Sequence, residues 1–247
     1  MTDVLVCIKR VPDTGGAIAL TADGQSVDDS VLGHTVSPHE ECAVELAIQI
    51  AGATGGTATV LTVGGEDSVE QLRNALAVGC TAAVHIEADT ASWGPADVSS
   101  AIAAVVQGSS YDLVLLGNDA ADTGDFQVGV RLAYALDRPV VTGVTSVSVA
   151  DGVVTATGDG PEGTDVYEVP LPAVVAVMEG GVEPRYPSIP GRMKAKRVAI
   201  ENVRPDVTPA GNGRVRLKLP PTPPSQVQIL ADAVAVVDLF EELKVLR

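Results

Sequence analysis

Through the first 140 or so residues, short apolar runs alternate with stretches whose apolar residues recur every three or four positions. Residues 3–8 form a run rich in β-branched side chains. They read as a buried strand entering a loop, 9–16, punctuated by Pro12, Gly15 and Gly16. Residues 17–36 read as a small antiparallel excursion: 17–20, a turn at Asp23-Gly24, then Ser26-Val27. Ser37-Pro38 supplies an N-cap and a first helical proline, and Glu40 and Glu41 suit the positive start of a helix. Val44, Ala47, Ile48 and Ala51 continue it at helical spacing, and Gly52 is the expected stop.

The alternation then repeats. Strands are expected over 58–63, 82–86 and 112–117, and another begins at 139–144. Helices are expected over 68–78, 95–108 and about 126–136, with Gly79 and Gly108 ending the first two. Near-continuous apolar strands separated by helices predict an α/β fold whose mostly parallel, doubly wound sheet is covered on both faces. Connections should be right-handed. Ligands in such sheets bind beyond the carboxyl ends of the strands, where the strand order reverses. The loops concerned begin near Lys9, Gly64 and Gly117.

Beyond residue 144 the texture changes. Val147-Ser148-Val149, Asp151-Gly152 and residues 153–156 make a hairpin signature, with strands to follow at 167–169 and 173–177. These predict an antiparallel section appended to the parallel one. From Gly180 to Pro224 prolines and basic residues replace apolar periodicity, which reads as an extended arm. Helical spacing returns from about Gln226, in Val234, Val237, Leu239, Leu243 and Leu246. Such a helix needs another surface to bury its stripe.

The chain has 247 residues and a net charge of −16, unevenly spread. Residues 1–184 carry 26 acids and five bases, a balance of −21; residues 185–247 carry six acids and 11 bases, a balance of +5. The acidic excess argues against a broad nucleic-acid footprint. The basic segment invites docking on something acidic, either the body itself or a partner. There is no run of apolar residues long enough for a membrane span, and no basic region precedes the first apolar stretch as a signal peptide requires. Cys7, Cys42 and Cys80 lie in apolar contexts without metal-ligand spacing, and read as buried thiols in a reducing compartment.

Four stretches could carry chemistry. Residues 117–129 leave a buried strand and open a helix, so their backbone N–H groups could face an anion, assisted by Thr123, Asp125 and Gln127. The bland alternative is an ordinary helix start with Asp caps. Asp119, Asp122 and Asp125 could hold a divalent cation or be solvated loop acids. Residues 7–14 end the first strand, and Ser37-Pro38-His39-Glu40 open a helix that could face the same crevice. Residues 180–197 mix Tyr186, Ile189 and Met193 with five bases, as a protein-docking loop would; the alternative is a basic connector. No nucleophile elbow or metalloprotease motif is present, so nucleotide binding is favoured over covalent catalysis.

Several ungapped blocks, in order, resemble the β subunit of electron transfer flavoprotein. They are Val6-Cys7-Ile8-Lys9-Arg10-Val11-Pro12-Asp13, Ser37-Pro38 with Glu41-Ala43-Val44-Glu45, Leu72 through Gly79, Asp112 through Gly117, Leu171 through Val175, and Glu183-Pro184-Arg185-Tyr186 through Lys196. The resemblance implies a Rossmann-like, adenine-nucleotide-binding fold and an electron-carrier subunit rather than an enzyme in its own right. It implies a heterodimer with an α subunit carrying the redox-active FAD. It further implies cytoplasmic electron relay from flavin dehydrogenases, such as the acyl-CoA dehydrogenases of fatty acid oxidation, to an acceptor such as a membrane quinone oxidoreductase. In this chain AMP is favoured, with a second FAD as the alternative. The implied nucleotide loops comprise Cys7, Lys9, Ser37, Pro38, His39, Glu40, Val63, Gly64, Gly117, Asn118, Asp119, Asp122, Thr123, Gly124, Asp125, Phe126, Gln127, Val128 and Gly129. The implied docking loop, about 177–199, presents Tyr186, Ile189, Pro190, Met193, Lys194 and Lys196, with Ile189 as its anchor. Residues 1–199 would form the nucleotide-binding domain, and 200–247 an arm and helix that dock on the α subunit. Two positions depart from the family pattern: Ser37 stands where Asn is frequent, and Asp125-Phe126 precede Gln127. A stand-alone nucleotide-binding protein of the universal-stress type would share the sheet but have no use for residues 180–247.

Overall fold

A computed structural model describes every residue except 14, 16, 205–206, 215, 222–226 and 246–247. In chain order the first half comprises β1 (Val4–Ile8), β2 (Val11–Pro12), β3 (His34–Thr35), α1 (Pro38–Thr54), β4 (Ala58–Gly64), α2 (Val69–Val78), β5 (Ala82–Glu87), α3 (Pro95–Gln107), β6 (Leu113–Gly117) and α4 (Val128–Leu136). The second half comprises β7 (Val140–Val144), β8 (Ser146–Ala150), β9 (Val153–Gly160), β10 (Gly163–Pro170), β11 (Ala173–Val177), α5 (Ile189–Ala195), β12 (Ile200–Val203) and α6 (Ala233–Glu242).

Seven strands form one parallel sheet in the order β12-β5-β4-β1-β6-β11-β7. From β1 the chain steps outward through β4 to β5, then returns to lay β6 on the other side of β1. The strand order therefore reverses between β1 and β6, opening a crevice at their carboxyl ends. Period-two alternation divides β1 between two cores. Val4, Val6 and Ile8 join the cluster with Ala43, Ala47 and Leu72 of α1 and α2. Leu5 and Cys7 join the cluster with Ile102 of α3 and Leu132 of α4. Each such Leu or Val, fully buried, stabilises the fold by about 1.5–3 kcal/mol relative to exposure.

The excursion at 17–36 is antiparallel as expected, with a bridge between Leu20 and Val27 and a β2–β3 pair. The hairpin turns at Asp151 (φ 50°) and Gly152 (φ 77°), and β8, β9 and β10 form a separate antiparallel sheet. Other expectations need correction. α1 runs through Gly52, which faces open space, and ends at the left-handed Gly55. β11 belongs to the parallel sheet, between β6 and β7, rather than to the antiparallel section. The supposed arm contains α5 and also β12, which pairs with β5 at the sheet edge. α4 begins at Val128 because Phe126 takes a left-handed φ of 54°. α6 begins at Ala233, and Leu246 and Thr14 lie outside the described residues. No helix among the described residues is long and apolar enough to cross a membrane.

The basic segment does meet the acidic body. Arg185 pairs with Glu45 and Arg204 with Glu87, both through two guanidinium nitrogens. Asp97 accepts from the backbone N–H groups of Ala210 and Gly211, and Leu217 donates to the carbonyl of Gly24.

Candidate functional site

A cavity of about 150 Å3 opens at the β1/β6 reversal. Cys7 and Lys9 enter it from the end of β1, Val63 from β4, Glu40 from the first turn of α1, and Gly117, Asn118 and Asp119 from the end of β6. Thr123, Asp125, Phe126, Gln127, Val128 and Gly129 complete that side.

Close backbone approach shapes the floor. A Cβ on Gly117 would lie 2.7 Å from Glu40 Cγ and 3.1 Å from His39 Cβ, so a bare α-carbon lets α1 reach β6. Gly129 likewise lets α4 pack on Leu116, where a Cβ would meet Cδ1 at 3.1 Å. The first turn of α4 leaves the N–H groups of Val128 and Gly129 without intrahelical partners, and both residues line the cavity.

Ser37 reaches beyond its own helix. Its hydroxyl accepts from the Ala121 N–H at 3.0 Å, while Glu40 accepts from the Ser37 N–H at 3.2 Å. Ser37 thus ties the start of α1 to the loop after β6. Lys9 Nζ lies 2.7 Å from Asp122 and ties that same loop to β1. That pairing employs Asp122, and among the described residues no three His, Cys, Asp or Glu side chains come together to hold a metal ion.

The electrostatics are set by burial. Glu40 is pushed up to about 8 by its burial, which outweighs the backbone hydrogen bonds from Lys9 and Ser37 that lower it. Burial, with Glu40 beside it, pushes the Cys7 thiol up to about 12. Lys9 brings a cation to the cavity wall, which Asp119 and Asp125 also line. Asp119 keeps Oδ1 buried with no hydrogen-bond partner among the described residues. Asn118 Oδ1 accepts from the Gly143 N–H, and Gln127 Oε1 accepts from Arg131, so those two oxygens are already engaged.

Of the residues singled out in sequence, Ser37, Pro38, His39, Gly64, Asp122 and Gly124 stand beside the cavity rather than on its wall. The Gly64 carbonyl faces His85 Nε2 at 3.0 Å. Gly124 takes φ 61° in the turn closed by its N–H to Ala120. The wall also includes Thr90, Trp93, Gly94, Pro95, Val98 and Ile102, which sequence reasoning missed. Their signal was available: they follow the end of β5, another carboxyl end of the same sheet, and Trp93 is the sole tryptophan.

The docking segment is a second feature. Tyr186 is 92% and Ile189 81% exposed, beside exposed Pro190, Met193, Lys194 and Lys196. Its frame is nevertheless anchored. Ser188 caps α5 by accepting from the Gly191 N–H, Gly191 packs against the Ala77 carbonyl, and Arg73 donates to the carbonyls of Ala195 and Val198.

The description "Electron transfer flavoprotein domain" matches residues 26–208. The chain is 37% identical to the electron transfer flavoprotein subunit beta of Bacillus subtilis, over 83% of this chain and 79% of that one. It is 34% identical to the same-named protein of Syntrophomonas wolfei, over 92% and 89%, and 32% identical to that of Homo sapiens, over 82% and 81%. The chain belongs to the electron transfer flavoprotein β-subunit family. Within that family the seven-stranded sheet, the crevice at its reversal and the anchored exposed loop are the features of this member that bear on function.

Proposed function

We propose that the chain is the β subunit of a cytoplasmic heterodimeric electron transfer flavoprotein. It relays electrons from flavin dehydrogenases, such as acyl-CoA dehydrogenases, to a downstream acceptor such as a membrane quinone oxidoreductase. The FAD that accepts and releases those electrons belongs to the α subunit. This chain holds an adenine nucleotide in the cavity at the sheet reversal, docks the dehydrogenase through Ile189, and meets the α subunit through its last 48 residues, 200–247.

The observation that carries this reading is the presence of both features in one chain: a cavity at the β1/β6 reversal and an apolar side chain, Ile189, held 81% exposed on an anchored frame. The wall suits a nucleotide. Apolar Leu61, Val63, Trp93 and Leu116 offer a surface for a base, and the Val128 and Gly129 N–H groups and Lys9 offer donors to a phosphate. The orphaned Asp119 oxygen would accept from a ribose hydroxyl or an exocyclic amine. AMP is the favoured occupant, with a second FAD as the alternative. The bound nucleotide supplies structure rather than chemistry, because no group on the wall is placed as a nucleophile or hydride partner.

Acid extraction of the purified heterodimer, followed by counting flavin and adenylate, tests this. One FAD and one AMP per heterodimer is expected. Two FAD would replace AMP, and the absence of any adenine nucleotide from this subunit would overturn the cavity's assignment.

A further inference from the structure

A second, larger cavity of about 480 Å3 lies against the docking segment, between α1, α2 and residues 183–192. Nothing in the nucleotide reading uses it. The carboxylates of Glu41, Glu70 and Glu183 line it, and among the described residues none of the three is paired with a cation. Gln71 lines it too; that side chain is 2% exposed and its Oε1 is buried with no partner among the described residues. Tyr186, almost fully exposed, contributes an aromatic face to the lining. Arg185 and Arg192 also border the cavity. Arg185 is committed to the buried Glu45, and among the described residues Arg192 pairs with no carboxylate.

An orphaned carbonyl oxygen, spaced carboxylates and an exposed aromatic ring together suit a planar, multi-donor cation. We propose that this cavity receives an arginine side chain from the dehydrogenase, held by Glu41, Glu70, Glu183 and the Gln71 carbonyl oxygen. The inference rests on the docking reading above. Continuity selects a partner's side chain over a free amine: one wall of the cavity, residues 183–187 and Arg192, belongs to the segment that presents Ile189. The apolar anchor supplies adhesion and the acidic cavity supplies orientation and charge selection.

The test uses the whole heterodimer with a flavin dehydrogenase as electron donor, and compares Glu70→Gln/Glu183→Gln with Ile189→Ala. The double variant should raise the KM for the flavoprotein about tenfold at low salt and flatten its dependence on NaCl, because rim and cavity charges act through steering and register. Flavin content and melting temperature should not move. Ile189→Ala should raise KM while keeping the wild-type salt dependence. An impaired Ile189→Ala beside an unaltered double variant overturns this inference alone; two unaltered variants overturn the docking reading itself. Titration calorimetry with spermidine and with free arginine separates the other source. Tight binding that the double variant loses, with electron transfer unchanged, would assign the cavity to a small cation and overturn the arginine proposal.

Discussion

Arg185 holds Glu45 in a two-pronged ion pair, Nε to Oε2 at 2.7 Å and a terminal nitrogen to Oε1 at 2.6 Å. Glu45 is 4% exposed on α1, so this pair fixes the docking segment to the body of the protein. Burial alone would raise the Glu45 carboxyl, but the hydrogen bonds from Arg185 and Gln49 outweigh it and hold the group below its ordinary value. A depressed carboxylate contributes stability that is present above the unfolded value near 4.5 and is lost as the pH falls through the lower folded value. Glu45→Gln should cost about 1–2 kcal/mol at neutral pH, a partly buried pair discounted for the exposed Arg185. Chemical denaturation at pH 7 and pH 3 checks this: the cost should shrink at the lower pH. A cost that is independent of pH would show that the pair is not its source.

Gly117→Ala should damage the nucleotide crevice more than its single added methyl suggests. The new Cβ would stand 2.7 Å from Glu40 Cγ and 3.2 Å from the Glu40 backbone nitrogen, and backbone cannot swing aside. A loss of about 1–3 kcal/mol is expected from such overpacking. Because α1 and β6 both border the cavity, bound adenylate should fall as well. Gly52→Ala is the control: its Cβ would meet nothing within 4 Å and a helical alanine should stabilise by roughly 0.5–1 kcal/mol. Denaturant midpoints and adenylate content of the two variants would decide; equal behaviour would refute the packing argument.

The alternation of apolar runs and helical spacing made six strands of the main sheet and their helices legible, because each is buried on both faces or on one stripe. β12 was not legible. Ile200-Glu201-Asn202-Val203 sits at an edge, with its two central residues exposed, so no apolar run marks it. Its place depends on pairing with β5, over a hundred residues away. β11 was legible as a strand but not as a member of the parallel sheet. The antiparallel hairpins β8–β10 intervene in sequence between β7 and β11, which are neighbours in space. The glycine-rich loop after β6 announced itself by composition. Trp93, Val98 and Ile102 were marked only by their place after the carboxyl end of β5; on α3 and its approach their side chains otherwise match ordinary core positions.

The thiols should be silent in the native state. Cys7, Cys42 and Cys80 are all buried and free. Burial pushes Cys7 and Cys80 up to about 12 and raises Cys42 as well, so little of any is thiolate at neutral pH. An aromatic disulfide reagent should label none of the three in the folded subunit and all three in guanidinium. Rapid labelling of Cys7 without denaturant would mean that the cavity wall opens to solvent.

Glu40 gives the crevice a pH dependence of opposite sign to that of Glu45. Its carboxyl is 6% exposed and its folded value is pushed up to about 8 from an ordinary 4.5, chiefly by burial. Between those two values the folded chain keeps a proton that the unfolded chain has released. The contribution is therefore complete below about 4.5 and is lost as the pH rises through about 8, at about 1.4 kcal/mol per pH unit for this one group. Glu40→Gln keeps the shape and the acceptor for the Ser37 N–H but cannot ionise. Its stability should fall less steeply than that of the wild type between pH 5 and pH 8, and the two should diverge most at the alkaline end, with the variant the more stable. Thermal melts across that range read the difference directly. Parallel curves would mean that Glu40 is already ionised in the folded state at neutral pH.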